Sequence, residues 1–368
     1  MEDNKIRVGI THGDINGIGY EIILKTFNDP VMFEFCTPIV YGSPKVATYH
    51  RKALNIDTNF SIINNATEAE DGRLNILPCV DDELKVEIGR PSNEAGQASL
   101  DALRKAIKDY RNGLIDVLVT APVDNTTMQL GEYHYVEQSD YIAQALGEEQ
   151  KALNIFVKDD FRVALATGYI AFGDVASSLT EQILKEKIEI FHHALVDDFG
   201  LDKPRIAVFS LNPHAGLKGL LGKEEQEIII PAMQEATSEG ILCFGPYSVD
   251  GLMGSGNYTH FDGILAMYHD QGLAAFKSLT AEEGVKYIGG LPIVYTSTVH
   301  GVAYDIAGQG KADEDALRNA IYLALDIYRY RNNEEEIHAN PLKKQYFDKR
   351  DDSYKLKLDS TDDTEDTL

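Results

Sequence analysis

Ala266-Met-Tyr-His-Asp-Gln-Gly-Leu-Ala-Ala-Phe-Lys277 places an imidazole, a carboxylate, an amide and an amine within one short stretch. It follows Gly263-Ile264-Leu265, an apolar run that reads as a buried strand. Open α/β sheets place their ligands at strand ends. His269 can ligate a metal or move a proton. Asp270 can orient that imidazole or act as a second ligand. Lys277 can hold an anionic substrate, or serve as an acid if burial lowers its pKa. Gly272 is expected to let the backbone turn out of the strand. A satisfied polar turn at a strand end is the competing reading.

Similar groups recur at other expected strand ends. Arg205-Ile-Ala-Val-Phe-Ser-Leu211 is a clear buried strand that runs into Asn212-Pro-His-Ala-Gly216. His214 there and His269 are expected to share one site. The Gly245–Gly251 turn carries Asp250, which joins Lys277 and Asp270 as a candidate catalytic residue. Thr11-His-Gly-Asp-Ile-Asn-Gly-Ile-Gly19 links a first strand, Arg7–Ile10, to a helix over Tyr20–Phe27. Such a turn suits an anion at a helix N-terminus. Its spacing is not G-x-G-x-x-G, and a tight turn that needs small residues explains it equally well. Gly301-Val-Ala-Tyr-Asp-Ile-Ala-Gly-Gln-Gly-Lys311 is rich in small residues and would let a nucleotide lie against the backbone.

The elements that must position these groups alternate in type. Strands are expected at Pro38–Tyr41, Phe60–Ile63, Ile115–Thr120, Arg162–Ala166 and Ile293–His300. Helices are expected over Lys45–Leu54, Ala95–Tyr110, Thr180–Val196, Glu224–Thr237 and Asp313–Tyr330; the second, third and fifth carry apolar residues on one face. Ser139 is a candidate N-cap for a helix that begins near Tyr141. His192 and His193 read as surface histidines. Expected strands and helices thus follow one another along the chain, and 368 residues suggest about two lobes.

Composition narrows the function. A hydrophobic content of 43% is enough for a sizeable core. A net charge of −25 argues against nucleic acid as a partner, because phosphates would be repelled. Cys36, Cys79 and Cys243 are unclustered, which argues against a zinc ribbon or a disulfide framework and suits a reducing cytoplasm. No apolar run is long enough for a bilayer, and the charged N-terminus does not read as a signal peptide. Residues 332–368 read as a polar, partly disordered tail.

From about Ile6 to Arg331 the chain resembles the 4-hydroxythreonine-4-phosphate dehydrogenases of vitamin B6 synthesis. The resemblance rests on Thr11–Gly19, Thr120-Ala-Pro122, Leu211–Gly216, Met267–Lys277 and His300–Ala312. The last segment also resembles the adenine-binding loop of isocitrate- and isopropylmalate-type dehydrogenases, whose fold is related. The resemblance implies two α/β lobes around a cleft. We expect the first lobe over 1–125 and 300–331, and the second, with metal, substrate and dimer contacts, over 126–299. It also implies NAD, a divalent metal such as zinc, magnesium or cobalt, and a homodimer with the site at the interface. NAD would lie along His300, Gly301, Asp305, Gly308 and Lys311.

Carried over position by position, the family's three metal histidines fall on Tyr169, His214 and His269. Its substrate-binding His-Thr pair falls on Gln138 and Ser139, its substrate lysine on Lys277, and its asparagine and arginine on Lys286 and Tyr295. A lysine after Thr-Ala-Pro is replaced by Asn125, and an aspartate before His300 by Val299. Tyrosine ligates only as phenolate, and loss of an arginine removes a bidentate phosphate clamp. The expected reaction is NAD-dependent oxidation of 4-phosphooxy-L-threonine to 2-amino-3-oxo-4-phosphooxybutanoate, a β-keto acid that loses carbon dioxide. A related four-carbon acid phosphate as substrate, or a non-catalytic binding or partner subunit, is the alternative left open by the substituted positions.

Overall fold

The computed structural model describes residues 5–339, except 82, 130–132, 148–150 and 282. Twelve strands are found among the described residues: β1 (Ile6–Thr11), β2 (Cys36–Gly42), β3 (Phe60–Ile62), β4 (Leu74–Pro78), β5 (Val117–Thr120), β6 (Leu153–Lys158), β7 (Phe161–Leu165), β8 (Arg205–Phe209), β9 (Leu242–Tyr247), β10 (Gly263–Ala266), β11 (Val285–Gly289) and β12 (Val294–Thr298). They form one sheet in the order β3-β4-β2-β1-β5-β12-β11-β6-β7-β10-β8-β9. The β3-to-β12 side is parallel, as is β7-β10-β8-β9. The three pairings between β12 and β7 are antiparallel.

The α-helices are α1 (Gly19–Thr26), α2 (Met32–Phe35), α3 (Pro44–Ala53), α4 (Asn93–Arg111), α5 (Gln138–Leu146), α6 (Val175–Ser178), α7 (Glu181–His193), α8 (Ile230–Ser238), α9 (Val249–Gly254), α10 (His269–Thr280) and α11 (Asp315–Ala339). Strands covered on both faces should read as continuous apolar runs. β2 and β5 are buried along their whole length, as is β10. The helices obey ordinary local rules. Ser43, Ser92 and Thr180 cap α3, α4 and α7 by accepting a hydrogen bond from a backbone N–H three residues on.

Several expectations need correction. α5 begins one residue before Ser139, with Glu137 as N-cap, so Ser139 lies inside the first turn and caps nothing. Gly272 makes no turn out of the strand. It lies within α10, where a Cβ would stand 2.7 Å from Leu165 Cδ2 and 3.1 Å from Ala266 Cβ, so its bare Cα lets the helix sit close on β7 and β10. The last helix continues past Arg331 to Ala339, which makes the start of the expected tail helical. The tail beyond 339 lies outside the described residues. The helix expected over Glu224–Thr237 opens instead with a π-helical turn at Glu225–Ile229. No helix among the described residues is long and apolar enough to cross a membrane.

Candidate active site

A cleft of about 220 Å³ opens where β5 and β12 meet the antiparallel strands. Thr120-Ala-Pro122 at the end of β5 forms one wall, and residues 297–301, the end of β12 and the segment after it, form another. Tyr169, beyond β7, faces His269 at the start of α10, with ring centroids 4.8 Å apart. Lys277, two turns along α10, also lines the cleft. Its Nζ donates to Val299 O at 3.1 Å. Lys286 on β11 and Glu137 before α5 close the floor. Tyr295 on β12 lines it too, its hydroxyl 3.1 Å from Thr120 Oγ1.

The cleft therefore brings together eight of the expected residues: Gln138, Tyr169, His269, Lys277, Lys286, Tyr295, His300 and Gly301. Ser139 stands just behind, its hydroxyl donating to Glu137 Oε2 at 3.0 Å. Other expected residues lie elsewhere. His214 is exposed, on a left-handed turn that includes Ala215–Lys218, and is not part of the cleft wall. Asp250 lies in the first turn of α9 and lines a neighbouring cavity of about 1140 Å³. Asp270 also lines that cavity, but its Oδ1 is 2.8 Å from His269 Nδ1, so it touches the cleft through the imidazole. Asp305, Gly308 and Lys311 are exposed on the glycine-rich loop that leads away from Gly301.

Glu137 was missed by sequence reasoning. Its Oε2 accepts a short, buried contact from Lys286 Nζ. Lys286 Nζ also lies 5.1 Å from the centre of the Tyr169 ring. Burial first, then the Glu137 charge and its hydrogen bond, push the Tyr169 phenol far above its usual range. Burial likewise pushes Tyr295 up to about 12. Both rings are neutral phenols at physiological pH.

The donor set fits a divalent metal only in part. His269 suits one, because Asp270 holds Nδ1 and leaves Nε2 to ligate, the usual carboxylate–histidine arrangement. Tyr169 suits one less well, since burial and the Glu137 carboxylate both oppose the phenolate that would ligate. Among the described residues, no group of three or more His, Cys, Asp or Glu is arranged to hold a metal ion. The loop from His300 fits a nucleotide better. It is fastened from below by α1, where Lys25 Nζ donates to Gly310 O and Ala312 O, and Glu21 Oε1 accepts from Ala312 N. Ile18 N donates to Val302 O, and Tyr304 OH donates to Asp14 Oδ2 at 2.8 Å. The backbone of Gly308 and Gly310 is left on the outer side, at positive φ.

A large α/β sheet with a polar, cation-lined cleft beside an anchored glycine-rich loop is the build of a nucleotide-dependent α/β enzyme. Comparison with known families narrows this class. The model described as "Pyridoxal phosphate biosynthetic protein PdxA" matches residues 34–324, and the chain belongs to that family. It is 60% identical to a 4-hydroxythreonine-4-phosphate dehydrogenase of Bacteroides thetaiotaomicron, over 98% of this chain and 100% of that one. A second relative of that name, from a Sulfurihydrogenibium species, is 34% identical over 89% of this chain and 99% of its own. Among solved structures, a 4-hydroxythreonine-4-phosphate dehydrogenase from Burkholderia phymatum is 31% identical, with a TM-score of 0.71, covering 88% of this chain and 99% of that one. The family is one of NAD-dependent oxidoreductases, which favours the enzyme reading over a non-catalytic subunit. Membership implies NAD and a divalent metal without fixing which metal.

Proposed function

We propose that this chain oxidises 4-phosphooxy-L-threonine with NAD to 2-amino-3-oxo-4-phosphooxybutanoate, which then loses carbon dioxide, in pyridoxal phosphate biosynthesis. One observation carries the reading: Lys277, Lys286 and His269 converge on a cleft bordered by the first residues of the anchored glycine-rich loop. Lys277 spends one donor on Val299 O and keeps others for the substrate's anionic groups. Gln138 and Asn125 supply polar contacts on the facing wall. The loop beginning at His300 and Gly301 would hold NAD, with Asp305, Gly308 and Lys311 along its exposed side, and NAD would supply the hydride acceptor. A divalent metal, when bound, polarises the substrate's alcohol oxygen. His269 would hold it, with zinc the first choice for an imidazole donor. Asp270 fixes the tautomer and direction of that imidazole and so acts on the reaction from behind it.

The exposed position of His214, away from its own cleft, supports a homodimer in which it serves a neighbour's site. Asp250 lies off the cleft of its own chain, on the neighbouring cavity. Two functional lobes, over 1–125 with 300–331 and over 126–299, share the one continuous sheet. Three free, unclustered cysteines support a cytoplasmic home.

The test is NADH formation from 4-phosphooxy-L-threonine by protein loaded with zinc, magnesium or cobalt. Turnover that vanishes in His269→Ala and falls strongly in Lys277→Met is expected. No NADH with any of the three metals would remove the reading.

A further inference from the structure

The floor of the cleft holds a buried ion pair whose surroundings point to a ligand. Lys286 is 8% exposed and Glu137 9%. Two charges so far from water need nearly complete compensation. Glu137 Oε2 accepts from Lys286 Nζ and from Ser139 Oγ, and its charge helps push the Tyr169 phenol upward. Beside them Gln138, 6% exposed, has a side-chain oxygen with no partner among the described residues. Glu137, Gln138, Tyr169 and Lys286 all line the cleft. A buried acceptor left open in a cavity of small-molecule size calls for a donor from a ligand.

We propose that Glu137 is a positioning residue that clamps the Lys286 ammonium at the cleft floor, so that Lys286 meets an anionic group of the substrate while Gln138 accepts a hydrogen bond from its hydroxyl or amino group. The proposal rests on the dehydrogenase reading above and deepens it by naming a specificity-determining unit. A lysine carries three donors on a flexible stem. Here the carboxylate directs one of them, Ser139 Oγ lies 3.5 Å away, and the Tyr169 ring limits the ammonium on a further side. A cation held still in this way loses little entropy when an anion arrives. Glu137 acts only through Lys286, so the two must fail as one.

Steady-state kinetics with 4-phosphooxy-L-threonine, together with calorimetric binding of the same compound without NAD, test this on the full chain. The variants are Lys286→Met, Glu137→Gln, Glu137→Asp and the double variant Glu137→Gln/Lys286→Met. Lys286→Met should raise KM and Kd by roughly ten- to a hundredfold, with a much smaller fall in kcat. Glu137→Gln should raise them less, Glu137→Asp should recover part of the loss, and the double variant should match Lys286→Met alone. Wild-type Kd in Lys286→Met overturns the proposal, as does a double variant whose loss is the product of the single losses. If a single variant fails to fold, the double variant removes both charges together, and wild-type Kd there overturns the proposal equally. A wild type that binds the compound through Lys286 but forms no NADH would sink the dehydrogenase reading and leave the clamp standing. A wild type that turns over, with variants that bind normally, would do the reverse.

Discussion

His12 lies in the first strand–helix turn with no exposed surface, stacked on Tyr20 at 5.3 Å between ring centroids. Burial holds its pKa down to about 4. In the unfolded chain it titrates near 6.5. The unfolded state therefore binds the proton more readily, and the fold is fully favoured only above about pH 6.5. Stability should fall as pH drops from there towards 4, by about 3 kcal/mol at most from this group. Urea midpoints measured across that window should fall more steeply in the wild type than in His12→Phe, and parallel curves would refute the assignment. At this scale the sequence was only partly legible. His269, Lys277 and Gly301 carry their chemistry in their types and motifs. Glu137 does not, because its meaning depends on Lys286, 149 residues away on another element. No local pattern reveals that a carboxylate will be buried, so the residue that organises the floor of the cleft was passed over. His214 has a plain motif, but the motif does not tell that a left-handed turn places it off the cleft wall of its own chain.

Among the elements, α4 fixes the segment after β5 by close approach. A Cβ on Gly96 would stand 1.9 Å from Thr127 O and 2.3 Å from Thr127 C, both backbone atoms that cannot swing aside. In an exposed helix interior, Gly→Ala should stabilise by about 1 kcal/mol. Here overpacking reverses the sign, and Gly96→Ala should destabilise by about 1–3 kcal/mol and displace the Asp124–Met128 segment beside the cleft. A raised urea midpoint would show that the contact is loose. Elements of this kind were readable where one rule acted alone. β1, β5, β8 and β10 announce themselves as apolar runs, and α4, α7 and α11 as 3.6-residue stripes. β9 was taken for a turn because Gly245-Pro246 falls inside it and half its residues are exposed, so neither composition nor alternation marks it. β6 is held antiparallel between its neighbour β7 and the distant β11, and the second of these pairings is a long-range fact that no local pattern carries. The start of α10 at His269 was hidden by the motif itself, whose polar residues read as a loop.

At the scale of the molecule, the last helix fastens the two parts of the sheet. Arg331 on α11 donates through Nε to Asp198 Oδ1 at 2.6 Å, through Nη1 to Leu291 O and Pro292 O, and through Nη2 to Tyr287 OH. Tyr287 lies on β11 and donates in turn to Asp198 Oδ2 at 2.5 Å. Asp198 is 3% exposed, in the π-helical turn that follows α7. One guanidinium thus joins the C-terminal helix to the antiparallel centre of the sheet and to the helical layer beyond it. α11 also packs on β12 and β5, the strands that carry Tyr295 and Thr120 into the cleft. Removing a single partner from a buried pair leaves the other charge uncompensated, at a cost of about 3–5 kcal/mol. Arg331→Met should lower the unfolding free energy read from urea titration by that amount, while Arg331→Met/Asp198→Asn should recover much of it, because no bare carboxylate remains. A loss below about 1 kcal/mol in the single variant would mean that water reaches Asp198 and that α11 is held by its apolar face alone. If the network does couple the two parts, fluorescence and far-UV dichroism should report one unfolding transition in the wild type and separate in the single variant.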